Sequence, residues 1–381
     1  MDDLFSSDRR NLPRVIPERI REAREARGLQ IEPFAELLNV TKQAVSRMES
    51  GLSAPSGETF GRIIAVTEQP PAFFTTPRQR SGAGIAPFWR SLKRVELYHR
   101  KRIARRLEWA SDVVAYLERF IDMPSLDLPA LDFDPSSQST DQIEAAADAL
   151  RSAWSLGRGP LRDLSAIMEL HGFILVREAV DCPDMDAVSC WQAGRPYVLF
   201  SADVTSGPRT AYNLAHELGH MLLHSSVEVT SENINDIERQ ADRFASAFLL
   251  PQDSFSREVL GTSLSHFEFL KQKWGISIAA MAYRCRDLEI ISGNQHSYVM
   301  RQLNMKRIRT HEPLDELFQT RAPAILGASV KMLLDQSVQT RNQVEQALAL
   351  NLGDIERLCG LPKGHLDTRV VPFTPKLRNS N

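Results

Sequence analysis

Cysteine is scarce in this chain and never closely paired. The 381 residues include only Cys182, Cys190, Cys285 and Cys359, with no C-x-x-C pair among them. That spacing offers neither a zinc ribbon nor a disulfide framework, and it suits buried or idle thiols in a reducing compartment. A dominant charge is also lacking: 46 Lys and Arg nearly cancel 48 Asp and Glu, so net charge alone gives no reason to expect a nucleic-acid or membrane partner. There is no uninterrupted run of about 18 apolar residues, which argues against a membrane span. The opening MDDLFSSDRRNLP has no apolar stretch of the kind a secretory signal needs. The expected location is therefore cytoplasmic. The hydrophobic share, 43 %, is enough to build sizeable cores, and the length allows two or three domains at roughly 100–200 residues each.

Composition divides the chain into four regions: 1–70, 71–140, 141–291 and 292–381. The first reads as helical. One helix starts at Pro17 and ends at Gly28, a second runs from Ile31 to Asn39, a third is capped by Thr41 and stopped by Gly51, and a fourth spans Ser56 to Val66. The second region holds a long predicted helix from Phe88 to Ile121. Between Arg78 and Arg119 eleven basic residues face four acidic ones, a local excess that the neutral total hides; such a helix lies near phosphate or presents a solvated face. A Pro-, Ser- and Asp-rich linker follows. In the third region helices are expected at 141–154, 161–171, 209–224 and 234–249. Strands are expected at 173–176, 187–191 and 197–200, in a small meandering sheet packed on helices. The last region is mainly helical, most clearly at 323–336 and 344–359, with a basic tail from Thr368.

The chemistry concentrates in one stretch. Asn213-Leu214-Ala215-His216-Glu217-Leu218-Gly219-His220 contains H-E-x-x-H on a helical, largely apolar run. Residues four apart share one helix face. Two imidazoles so placed can bind one zinc, with the intervening glutamate beside the metal as general base. A hydrolytic zinc usually takes three protein ligands. His224 is near in sequence but eight residues beyond His216, about 12 Å along a straight helix. Bonds of about 2 Å do not easily bridge that distance. His224 therefore fits the cleft wall or a structural hydrogen bond, and Tyr212 is a further cleft candidate. Glu238 is the better third ligand. It lies four residues from Asp242, on the inward side marked by Ala241, Phe244, Ala245 and Phe248. Two inward carboxylates need cationic neighbours. A metal and its histidines supply them, with Asp242 accepting the second N–H of a ligand histidine. Gly219 inside the motif leaves room for a close neighbour.

These residues resemble the ImmA/IrrE family of metallopeptidases. The resemblance spans Tyr197 to Ile291 through A-x-x-L-A-H-E-L-G-H-x-L-L-H, E-x-x-A-D-x-F-A-x-x-F-L-L-P and LKQKWGISIAAMAYRCRDLEII. It implies a zinc site of His216, His220 and Glu238 with Glu217 as base; manganese could replace zinc. Asp242 departs from the asparagine often found there in the family. The resemblance also implies a protein substrate of the repressor kind, cleaved during stress or mobile-element induction.

Near the start, Arg27-Gly28-Leu29, then Ala35 through Gly51, then Pro55, look like an XRE-type helix-turn-helix. Ala35, Leu38, Val40, Val45 and Met48 would form its core. Lys42, Gln43, Ser46 and Arg47 would face outward from the recognition helix, with side chains suited to base edges and phosphate. Glu36, Glu49 and Glu58 would weaken non-specific binding.

The expected fold is α+β and mainly helical: a five-helix-type helix-turn-helix domain (1–70), a basic helical connector (71–140), a zincin-like domain (141–291) and a helical C-terminal region (292–381). The expected function is a DNA-binding transcriptional regulator carrying a zinc-dependent endopeptidase, with a repressor or antitoxin-like protein as substrate and a homodimer permitted. The alternatives are a ligand- or metal-sensing transcription factor that does not cleave, and an interaction scaffold.

Overall fold

The structure, a computed structural model, describes residues 14–78, 95–131, 133–136, 139–225, 227–309 and 311–367. Sequence readings that fall on 1–13, 79–94 or 368–381, including the first part of the basic helix and the basic tail, lie outside the described residues.

Five helices open the chain: α1 (Pro17–Ala26), α2 (Ile31–Leu38), α3 (Lys42–Glu49), α4 (Gly57–Thr67) and α5 (Pro71–Thr75). Thr41 caps α3 by accepting from the backbone N–H of Ala44 at 3.2 Å. Between α2 and α3 the backbone turns at Asn39, in the left-handed region with φ 53°. Ala35, Leu38, Val45 and Met48 are buried, as their spacing predicts, while Val40 is only partly so. Glu49 does not face outward. It is buried in a bidentate pair with Arg24, at 2.6 and 2.9 Å, and ties α3 to α1. In α5, Phe73 and Phe74 are fully buried, and the N–H of Ile16 donates to the carbonyl of Phe74.

The described part of the basic stretch forms α6 (Leu97–Leu117). Its cations pair with carboxylates elsewhere in the molecule; only Arg106 is buried, while Lys101 stays on a solvated face. Lys101 and Arg105 pair with Glu25 of α1, Arg102 with Asp181, and Arg106 with the buried Glu178 and Asp354. The partners are distant in sequence, which is why local charge counting misreads this helix.

After the irregular linker come α7 (Thr140–Ala153), α8 (Leu164–Leu170) and three strands, β1 (Ile174–Glu178), β2 (Ala187–Gln192) and β3 (Arg195–Ser201). The sheet is not the expected meander. Its order is β1-β3-β2, with β1 parallel to β3 and β2 antiparallel to it. The β2–β3 hairpin turns through Ala193 and Gly194, both with positive φ, as a two-residue loop of matching twist requires. Parallel pairing with β1 puts β3 in the centre, where nearly every residue is buried, and leaves β2 at an edge. Side chains alternate between two cores. Ile174, Val176, Val188, Cys190, Tyr197 and Leu199 join the core shared with α6 and the first five helices. Leu175, Ala187, Val198 and Phe200 face the second core.

That second core is built on α9 (Gly207–Leu223) and α10 (Ile234–Leu249), with α11 (Gln252–Phe255), α12 (Leu264–Trp274) and α13 (Ile278–Asp287) behind them. The C-terminal helices are α14 (Gly293–Met305), α15 (Ile325–Asp335), α16 (Arg341–Leu348) and α17 (Leu352–Leu358). The single helix expected over 344–359 is two helices. Ala349 adopts φ 51° and ends α16, and the Asn351 side chain caps α17 by accepting from the N–H of Asp354. No helix among the described residues is long and apolar enough to cross a membrane, and the four cysteines are buried and unpaired.

Candidate metal centre

Helix α9 carries His216, Glu217 and His220; α10 carries Glu238 and Asp242. The two helices pack closely because Gly219 has no side chain. A Cβ there would lie 3.0 Å from Cδ1 of Phe244 and 3.3 Å from Cα of Ala241. Both contacts belong to the two turns of α10 that follow Glu238. The close neighbour anticipated for this glycine is therefore the helix that supplies the carboxylates.

The convergence is tight. His216 Nε2 and His220 Nε2 stand 3.0 Å apart. Glu238 straddles them, with Oε2 3.4 Å from His216 Nε2 and Oε1 3.4 Å from His220 Nε2. Donor atoms of these three residues all lie within 4.8 Å of one another. His220 is buried, His216 and Glu238 partly so. The other imidazole nitrogen of His216, Nδ1, is 2.9 Å from Asp242 Oδ1, so it donates there and its Nε2 carries the lone pair.

This geometry fits a divalent cation. The two Nε2 atoms at 3.0 Å must share either a proton or a cation, and Glu238 Oε1 is buried with no hydrogen-bond partner among the described residues. Tetrahedral ligands with bonds of 2.0–2.1 Å stand about 3.3 Å apart, close to the observed spacings. Two imidazoles and one carboxylate suit zinc, with manganese as the harder alternative. A proton competes with a cation for this site. Burial opposes charging His216, but its hydrogen bonds to Asp242 and Glu238 prevail and push its pKa up to about 10. Burial would raise Glu238, yet the two histidines hold it down at about 2.

Glu217 is buried beside this set and accepts a hydrogen bond from the Ser189 hydroxyl at 2.5 Å. Ser189 points from the edge strand β2 toward α9 and was not singled out by its sequence; only the strand's alternation, combined with knowledge of what it faces, could have found it. A cleft of about 380 Å³ opens over these residues, lined also by Asp186, Ala187, Arg209, Tyr212 and Asn213. Asp186, likewise unmarked in the sequence, accepts from Arg209 and Asn213 and anchors the cleft wall. Tyr212 directs its hydroxyl at Asp242, donating to the backbone carbonyl at 3.2 Å, and burial raises its pKa. It sits at the boundary with a larger cavity of about 840 Å³. His224 is outside the donor set. It is fully buried behind His220, with Nδ1 3.2 Å from His220 Nδ1 and Nε2 2.8 Å from Gln240 Oε1. Burial pushes its pKa down to about 4.

On the first domain, Lys42, Gln43, Ser46 and Arg47 are all exposed along one side of α3. Lys42 makes one loose ion pair, 3.7 Å, with the exposed Glu32.

Comparison with known families agrees with both halves. Residues 169–286 match the peptidase family profile described as the IrrE N-terminal-like domain, and residues 20–74 match a helix-turn-helix profile. A search of curated proteins finds no match to the chain. The first match takes in β1 through nearly all of α13, including every residue of the candidate centre; the second takes in most of α1 and nearly all of α5. The chain is thus similar to an XRE-type helix-turn-helix over residues 20–74 and to an IrrE N-terminal-like peptidase-family domain over residues 169–286.

Proposed function

We infer that this protein is a DNA-binding regulator whose second domain is a zinc-dependent endopeptidase acting on a protein partner, of the repressor or antitoxin-like kind, in a stress or mobile-element response. The observation that carries the catalytic half is the convergence of His216 Nε2, His220 Nε2 and Glu238 beside a buried Glu217.

His216, His220 and Glu238 hold the ion, and Asp242 orients His216. A divalent cation there supplies Lewis acidity toward a carbonyl oxygen and makes water easier to deprotonate. Ser189 occupies Oε2 of Glu217, so the other carboxylate oxygen takes the proton from attacking water and passes it to the departing amine nitrogen. Strand β2 has β3 on one side and no strand on the other among the described residues. Val188, Ser189 and Cys190 on that strand are buried, so a substrate would reach Glu217 through the cleft lined by Asp186, Ala187, Tyr212 and Asn213. At the other end, Lys42, Gln43, Ser46 and Arg47 present donors and acceptors suited to the major groove.

The test is metal content together with cleavage. Purified wild type should hold about one zinc per chain. His216→Ala should lose it, Glu217→Gln should keep it, and only wild type should cut helix-turn-helix proteins encoded beside this one. Metal without cleavage would favour the sensing regulator. Wild type that takes up no zinc or manganese when supplied would overturn the catalytic reading.

A further inference from the structure

His224 is a buried imidazole that the proposed chemistry does not use, and its partners can be followed to a fixed end. Gln240 Nε2 stands 3.0 Å from the backbone carbonyl of Pro135, which can only accept. The amide nitrogen of Gln240 must therefore face Pro135, and its oxygen must face His224 Nε2 at 2.8 Å. That oxygen can only accept, so His224 Nε2 carries the proton. The lone pair of a neutral His224 then lies on Nδ1, 3.2 Å from His220 Nδ1. His220 Nδ1 must be the donor in that contact, which leaves the His220 lone pair on Nε2, the atom that faces His216 and Glu238.

We propose that Pro135, Gln240 and His224 form a relay that sets the tautomer of His220, making His224 and Gln240 positioning residues of the metal centre. The relay begins on the irregular linker, whose Phe133 ring meets His224 edge-on, with ring centroids 6.5 Å apart. Each member supports the next. His224 ends α9, where its backbone N–H donates to the carbonyl of His220, so the two rings are held at a fixed spacing. Gln240 lies two residues beyond Glu238 on α10, so the helix that supplies the carboxylate also orders the histidine it meets. Supports of this kind typically change metal affinity by about 10- to 100-fold.

The inference rests on the metal-site reading, and the experiment separates the two. Zinc affinity of the full-length chain is measured by competition with a chromophoric chelator, for wild type, His224→Ala, Gln240→Leu and the double variant. Two-bond 15N–1H NMR of 15N-histidine-labelled, metal-free wild type and Gln240→Leu reads the His220 tautomer directly. The relay predicts the Nδ1–H form in metal-free wild type and a shift toward the other form in Gln240→Leu. It also predicts zinc binding about 10-fold or more weaker in each single variant, with the double variant no weaker than His224→Ala. An Nε2–H tautomer in metal-free wild type, or single-variant losses that simply add, would overturn it. If His224→Ala fails to fold, Gln240→Leu and the NMR signal still decide. Wild type that binds no zinc would remove the metal-site reading, and the tautomer would still report on the relay.

Discussion

The Ser189 hydroxyl donates to Oε2 of Glu217 across 2.5 Å, and both side chains are buried. The edge strand β2 thereby holds the carboxylate proposed as the base. Hydrogen bonds to charged groups contribute about 1.5–3 kcal/mol, and a misplaced base loses its alignment with the reacting atoms.

Ser189→Ala should therefore lower kcat on a protein substrate by about tenfold or more while leaving KM and metal content close to wild type. Ser189→Thr, which keeps the hydroxyl, should recover part of the loss. Steady-state kinetics with metal analysis on the same preparations checks this. Unchanged kcat, or a loss confined to KM, would show that Ser189 does not position Glu217.

Gly219 makes a second test. Glycine to alanine inside a helix ordinarily gains about 1 kcal/mol. Here the new Cβ would press on Phe244 at 3.0 Å and on the backbone of Ala241 at 3.3 Å, pushing α10 away from α9. Since α10 carries Glu238, Gly219→Ala should weaken zinc binding by about tenfold or more even where its melting temperature stays within a few degrees of wild type. Chelator competition beside a thermal melt separates these effects. Full zinc affinity in the variant would mean that the helix spacing does not govern the site.

What could be read in the sequence was what short helical spacing encodes. His216, Glu217 and His220 repeat along one helix, Glu238 and Asp242 along another, and the spacing alone suggests that each set shares a side. The outward row of α3 follows the same logic. Contacts between distant segments stayed hidden. Ser189 against Glu217, Gln240 against Pro135, and Arg106 against Glu178 and Asp354 join positions 28 to 248 residues apart. The sheet order was misjudged because parallel pairing of β1 and β3 is decided by how helices cover both faces, and no turn residue signals it. The break between α16 and α17 falls at Ala349 in the left-handed region, with no glycine or proline to mark it.

Asp354 offers the last test, of how the helix-turn-helix end is held to α6 and α17. It is fully buried and accepts from Arg27 at 2.9 and 2.8 Å, from Arg106 at 2.7 Å and from Gln69 at 2.5 Å. Arg27 and Gln69 belong to the helix-turn-helix end, Arg106 to α6 and Asp354 to α17, so one carboxylate joins three parts of the chain. Burial would raise its pKa, but Arg106 and Arg27 outweigh that and hold it far below the usual carboxylate range. With the folded pKa depressed, the stabilisation is fully present above the unfolded value of about 3.9 and is lost as pH falls below that toward the folded pKa. Asp354→Asn should cost about 1–3 kcal/mol near pH 7, because the buried Arg106 keeps only Glu178 and Arg27 keeps only the exposed Glu68 as counter-ions. Thermal melts of wild type and variant should differ clearly between pH 5 and 8, and the gap should begin to narrow only below about pH 4. A gap that is absent at neutral pH, or that closes already at pH 6, would mean that Asp354 is not the anion that binds these segments together.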